Sequence, residues 1–137
     1  MCAITRAMAE YFAGNPHVGG WQTDNELNCH FSECHCENCQ VAFREFLREK
    51  YHDDIGALNA AWKGNYADWD ALLQAQQKPP VGAKEDCVAF SLALTEAYFQ
   101  NIRDEFKAAA PKTLYMGCRF AGSTKAAVEI GAKYCDV

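Results

Sequence analysis

The feature that most constrains this chain is an alternation of long amphipathic runs with short apolar ones. Residues 3–13 place Ile4, Ala7, Met8, Tyr11 and Phe12 at helical spacing, and Gly14-Asn15-Pro16 supplies the stop. Residues 17–23 are short and bounded by turn chemistry, which predicts a strand ending near Asp24. Over 40–51, Val41, Phe43, Phe46, Leu47 and Tyr51 form one helical face, while Arg44, Glu45, Arg48 and Glu49 point elsewhere. Two shorter helical stretches, 55–62 and 68–76, follow before Lys78-Pro79-Pro80 breaks the pattern. Val88, Leu92, Thr95, Phe99, Ile102 and Phe106 then predict a long helix that stops before Pro111. A strand over 113–120, a helix capped by Ser123 and running to about Lys133, and the start of a strand at 134–137 complete the pattern. This order is that of a parallel α/β architecture. A closed (β/α)8 TIM barrel typically takes about 250 residues, so this chain would hold about three of its eight βα units.

Charge and hydropathy remove other classes. The net charge is −5 and no Lys/Arg cluster forms a stripe that could track phosphates, so nucleic acid is not an expected partner. No run approaches the roughly 18 to 20 apolar residues that span a bilayer, and a membrane is not expected either.

In parallel α/β folds, side chains at the carboxyl ends of strands converge on the active site, and Asp24-Asn25-Glu26 falls at such an end. A glutamic acid beside an asparagine suits glycosidic cleavage. The acid protonates the leaving oxygen, and the amide hydrogen-bonds the sugar 2-hydroxyl as charge develops at the anomeric carbon. The plain alternative is a polar loop that caps a strand. Trp21 either lines the sugar site, stacked on a pyranose ring, or packs in the core, whereas Trp62 and Trp69 read as structural. Arg119, after the strand segment 114–118, either reaches the cleft or is a solvated loop arginine.

Of eight cysteines, four fall between positions 29 and 39. Cys34, Cys36 and Cys39 are too close together to pair comfortably as disulfides, but they can wrap three thiolates around one cation. Zn2+ in a structural role fits, with a fourth ligand required; small buried thiols are the alternative. Cys87, Cys118 and Cys135 read as core residues. The sequence leaves the compartment open, with the cytoplasm favoured.

The run Gly20-Trp21-Gln22-Thr23-Asp24-Asn25-Glu26, followed by Cys29-His30 and Cys34-x-Cys36-x-x-Cys39, resembles glycoside hydrolase family 42, the β-galactosidases. The likeness continues through residues 39–51 and Ala57-Leu58-Asn59-Ala60-Ala61-Trp62, covering about residues 7–77. It implies a TIM-barrel segment around strands 4 to 6 of a retaining glycosidase, with a metal-binding loop at 29–39. Glu26 would be the acid/base, Asn25 its substrate-binding neighbour and a carbohydrate, a β-galactoside or related sugar, the substrate. The family's nucleophile lies on the seventh strand, past Val137, so the chain by itself is expected not to complete the reaction. The fourth zinc ligand would be a cysteine from an earlier loop, with Cys2, Cys29, His30 or His35 as substitutes. Residues 114–120 and 133–137 look more like agarase-type members of the same clan. Unpaired strand edges in a partial barrel predict poor solubility or association between copies. The competing functional reading is a small zinc-binding interaction module without catalysis.

Overall fold

The computed structural model describes residues 1–26, 34, 36–72 and 80–137. In chain order its elements are α1 (Cys2–Phe12), β1 (Gly20–Trp21), β2 (Asp24–Asn25), α2 (Glu37–Lys50), α3 (Ile55–Trp62), α4 (Lys84–Ala109), β3 (Leu114–Tyr115), β4 (Cys118–Arg119) and α5 (Lys125–Ala132). They form two compact units, Met1–Ser32 with Leu92–Val137, and Glu33–Ser91.

In the first unit, β1 pairs with β3 and β2 with β4, both parallel and in the same register, Gly20 opposite Leu114 and Asn25 opposite Arg119. Main-chain bonds cross the gap between the pairs: Met116 N–H donates to Trp21 O and Thr23 N–H to Gly117 O, each at 2.8 Å. The two strands expected from sequence therefore lie side by side in one ladder, each interrupted once. Gly117 lies at the interruption with φ +69°, a left-handed conformation that a side chain would oppose.

That break shifts the pleat. Trp21 and Tyr115 on one side of it, and Asp24 and Cys118 on the other, all carry their side chains towards aromatic partners on α4. Asn25 and Arg119, next along their strands, stand on the opposite face and are exposed. The α4 partners recur as the sequence periodicity expects: Phe99, Ile102 and Phe106 are all buried. Each such side chain contributes roughly 1.5–3 kcal/mol when removed from water. Ala9 of α1, Tyr115 and Ile130 of α5 complete this packing.

Two expectations at the end of the chain are corrected. Thr124, not Ser123, caps α5, its Oγ1 accepting the Ala127 N–H at 3.3 Å. Residues 134–137 form no strand. One ladder-like bond, Asp136 N–H to Tyr115 O at 2.9 Å, is made, while the Asp136 carboxylate is bound to Tyr115 N–H at 2.7 Å and Lys107 Nζ at 2.5 Å. Side-chain capping takes the place of a continued ladder.

In the second unit, α2 begins at Glu37, three residues earlier than its apolar face requires, and α3 has the bounds read from sequence. Asp54 caps α3 by accepting from Gly56 N–H at 2.8 Å and Ala57 N–H at 3.1 Å, which satisfies donors that the first helical turn leaves open. Of the helix expected over 68–76, a 3-10 turn at Asp70–Leu72 is seen, and 73–79 lie outside the described residues. Leu47, Leu58, Trp62 and Ala83 form this unit's core.

Candidate functional site

Glu26 is the first residue past β2. Its backbone is left-handed, φ +56°, which for a residue with a side chain costs about 1–2 kcal/mol. Its N–H donates to Arg119 O at 2.7 Å, extending the ladder by one bond, and its Oε1 accepts from Arg119 Nη2 in an ion pair. Asn25 is exposed on the same side of the ladder as Arg119. The strand end is secured from behind. Asp24 Oδ1 accepts the Asn25 N–H at 2.7 Å and its Oδ2 accepts the Tyr98 hydroxyl at 2.9 Å, tying β2 to α4. Burial, and then the bond to Asp24, push the Tyr98 phenol well above its ordinary range, so it stays a donor.

Trp21 stands in β1, opposite Tyr115. Its indole lies 5.5 Å from the Phe12 ring and 6.2 Å from that of Phe106, in the aromatic cluster between α1 and α4. These contacts leave the indole half-buried. Trp62 is buried, and its Nε1 donates to Asp86, in keeping with a structural role.

The thiols of Cys34, Cys36 and Cys39 lie within 4.8 Å of one another, with Cys34 Sγ to Cys36 Sγ at 3.5 Å. Tetrahedral zinc with Zn–S bonds of about 2.3 Å requires sulfurs about 3.8 Å apart, so the three fit three corners of such a site. Cys36 immediately precedes α2. Its thiol is pulled below its ordinary value, first by the backbone N–H of Cys39 and then by the Cys34 thiol, the anion-stabilising end of a helix acting on sulfur. The Cys39 thiol is pushed up to about 12, first by its bond to Cys34 and then by burial. Three sulfurs converging at this spacing offer a cation three ligands once their protons are displaced. Of the possible fourth ligands, Cys29, His30 and His35 lie outside the described residues, and Cys2 packs half-buried in the first unit's core. Cys118 is buried and Cys87 and Cys135 are half-buried, as core residues should be.

Sequence reading left the partner of Glu26 open. Arg119 lies 93 residues away, and only the strand register brings the two together. The sole available signal was that both residues follow short strands in a parallel pattern.

A family model described as β-galactosidase, glycoside hydrolase family 42, matches residues 1–129. The chain belongs to this family. The β-galactosidase BgaH of Haloferax lucentense is 47% identical over 93 residues, which cover 64% of this chain and 14% of that protein. Among solved structures, the β-galactosidase of the Antarctic haloarchaeon Halorubrum lacusprofundi aligns over 98% of this chain and 21% of its own, with 27% identity and a TM-score of 0.78. An agarase, AgWH50C, aligns over 72% of this chain and 14% of its own, with 34% identity and a TM-score of 0.65. The chain thus spans between 14% and 21% of the length of each. The solved relatives are TIM-barrel glycosidases, and both the β-galactosidase and the agarase likenesses expected from sequence are present.

Proposed function

We propose that this family 42 segment supplies the acid/base half of a retaining β-galactosidase. Glu26, protonated, gives its proton to the glycosidic oxygen as the C1–O bond breaks and a carboxylate from the rest of the barrel bonds to C1. In the second step ionised Glu26 takes a proton from water as the water oxygen bonds to C1 and that carboxylate departs. Asn25 hydrogen-bonds the sugar 2-hydroxyl. The second carboxylate must come within about 5 to 5.5 Å of Glu26, and the family likeness puts it on a strand that residues 1–137 do not include.

The observation that carries this reading is an Asn25-Glu26 pair at the carboxyl end of a parallel strand, inside residues that match family 42. On the same reading the ladder is strands 4 and 5 of a TIM barrel, with three βα units reaching strand 6. Cys34, Cys36 and Cys39 hold a structural zinc, completed by a fourth ligand. The ion would tie Cys34 to the start of α2; three thiolates leave it little Lewis acidity for sugar chemistry.

The test is Glu26→Gln in a full-length barrel that carries this segment. Turnover of β-galactosides should fall about 10²- to 10⁴-fold with the melting temperature unchanged. Undiminished turnover by the folded variant would leave the zinc-binding interaction module as the better reading. Preference for agarose oligosaccharides over aryl galactosides would keep the mechanism and move the substrate to the agarase side.

A further inference from the structure

We infer that Arg119 is a positioning residue for Glu26, holding one carboxyl oxygen so that the other carries the proton exchanged with substrate. This rests on Glu26 being the acid/base. Arg119 reaches Glu26 twice. Its carbonyl oxygen accepts the Glu26 N–H at 2.7 Å, fixing the left-handed backbone, and its guanidinium Nη2 donates to Oε1.

Stability does not explain the ion pair. The two side chains are 60% and 32% exposed, and an open pair contributes roughly 0–1 kcal/mol, less than the left-handed backbone at Glu26 costs. The chemistry of the acid does explain it. Rotation about the terminal torsion of a glutamic acid is broad and two-fold, so an unheld carboxyl exchanges its two oxygens. A guanidinium has only donors and stays charged, so it can face only an oxygen that lacks a proton. With Oε1 held this way, the acid form carries its O–H on Oε2. After that proton goes to the leaving oxygen, the same bond persists, and Oε2 takes the proton from the attacking water. One arrangement serves both steps, and Arg119 itself exchanges no proton.

The test uses a full-length barrel that carries this segment. For Arg119→Ala, Arg119→Lys, Glu26→Ala and the Glu26→Ala/Arg119→Ala double variant, kcat/KM is measured on phenyl and dinitrophenyl β-galactosides, with melting temperatures alongside. Arg119→Ala should lose about 10²-fold on the phenyl substrate, whose poor leaving group needs a well-aimed proton, and far less on the dinitrophenyl one. Arg119→Lys should recover part of the loss, and Arg119→Ala should add nothing once Glu26 is gone. Equal losses on both substrates, or an additive loss in the Glu26→Ala background, would overturn the positioning role. The acid/base reading would survive that result, provided Glu26→Ala alone shows the leaving-group dependence. Full activity of Glu26→Ala on the phenyl substrate would overturn both. If Arg119→Ala fails to fold, Arg119→Lys decides by the same criterion, a leaving-group-dependent loss supporting the role and an equal loss sinking it.

Discussion

Asp86 in the second unit and Glu26 in the first are both carboxylates paired with a cation, but one is enclosed and the other is open. Asp86 is 2% exposed and accepts from Lys50 Nζ, from Tyr51 Oη at 2.8 Å and from Trp62 Nε1 at 2.7 Å. The Glu26 side chain keeps a third of its surface exposed and, among the described residues, pairs with the Arg119 guanidinium. Burial pushes the Asp86 carboxyl up, but the bonds from Lys50, Trp62 and Tyr51 outweigh it and leave the group below the usual carboxylate range. A carboxylate surrounded by donors has no place for a substrate oxygen and acts as a brace joining α2, α3 and α4. On the proposed reading Glu26 must give and regain a proton, which needs an oxygen that the fold does not consume.

Exchanging the two roles by mutation gives the largest effects. Asp86→Ala removes the acceptor of three donors and strands a buried tryptophan N–H, so unfolding free energy should fall by about 3–5 kcal/mol. Glu26→Gln should change it by less than about 0.5 kcal/mol while abolishing most catalysis. Chemical denaturation of the two variants side by side would break the comparison if Glu26→Gln proved the less stable.

The pH dependence sharpens it. The folded value of Asp86 lies below the unfolded one, so its contribution is present above the unfolded carboxylate value, about 3.9, and is lost as pH falls through the folded value. Denaturation midpoints taken from neutral pH downward should drop below about pH 4, and Asp86→Asn should remove part of that drop. An identical acid transition in Asp86→Asn would mean that other carboxylates carry it, with Asp53, Glu96 and Asp136 the first to test, since each is lowered foremost by a bond from Arg48, Lys133 or Lys107.

The thiol cluster lies between these extremes, exposed at Cys34 and Cys36 and more covered at Cys39. Because the Cys39 thiol is pushed up to about 12, a metal must displace its proton. Zinc affinity should therefore rise with pH from 6 to 8 (roughly the range where free zinc stays soluble), with proton release on binding, and Cys34→Ser should lower the bound zinc. Binding that is independent of pH would show that the thiols are already ionised.

How much of this was legible in advance depended on the range of the interaction. The faces of α2 and α4 and the bounds of α3 follow from spacing along the chain, where Leu47, Phe99 and Phe106 announce themselves. Asn25-Glu26 and the cysteine run were visible because their neighbours carry a family pattern. Asp86 was not, since nothing in Glu85-Asp86-Cys87 tells a buried brace from an acidic first turn until Lys50, Tyr51 and Trp62 are brought to it. The link from Glu26 to Arg119 and the break in each strand are tertiary in the same sense. They depend on a register and on Gly117, which pattern alone reads as one uninterrupted strand.

The smallest expected effect probes the support behind Glu26. Tyr98→Phe removes one hydrogen bond to Asp24 Oδ2 and leaves the ring stacked edge-on against Phe99 at 5.2 Å, so packing is preserved. Losing a neutral donor to a carboxylate should cost about 1–2 kcal/mol, well short of Asp86→Ala, because Asp24 is only partly buried and water can take the vacated position. Asp24 Oδ1 still accepts the Asn25 N–H in this variant, so the strand end keeps its direction and activity should fall by a few-fold at most. A loss of activity as deep as that of Glu26→Gln, at unchanged stability, would show that the Tyr98–Asp24 bond sets the position of the acid, and that the support of this site is distributed over α4 as well as over Arg119.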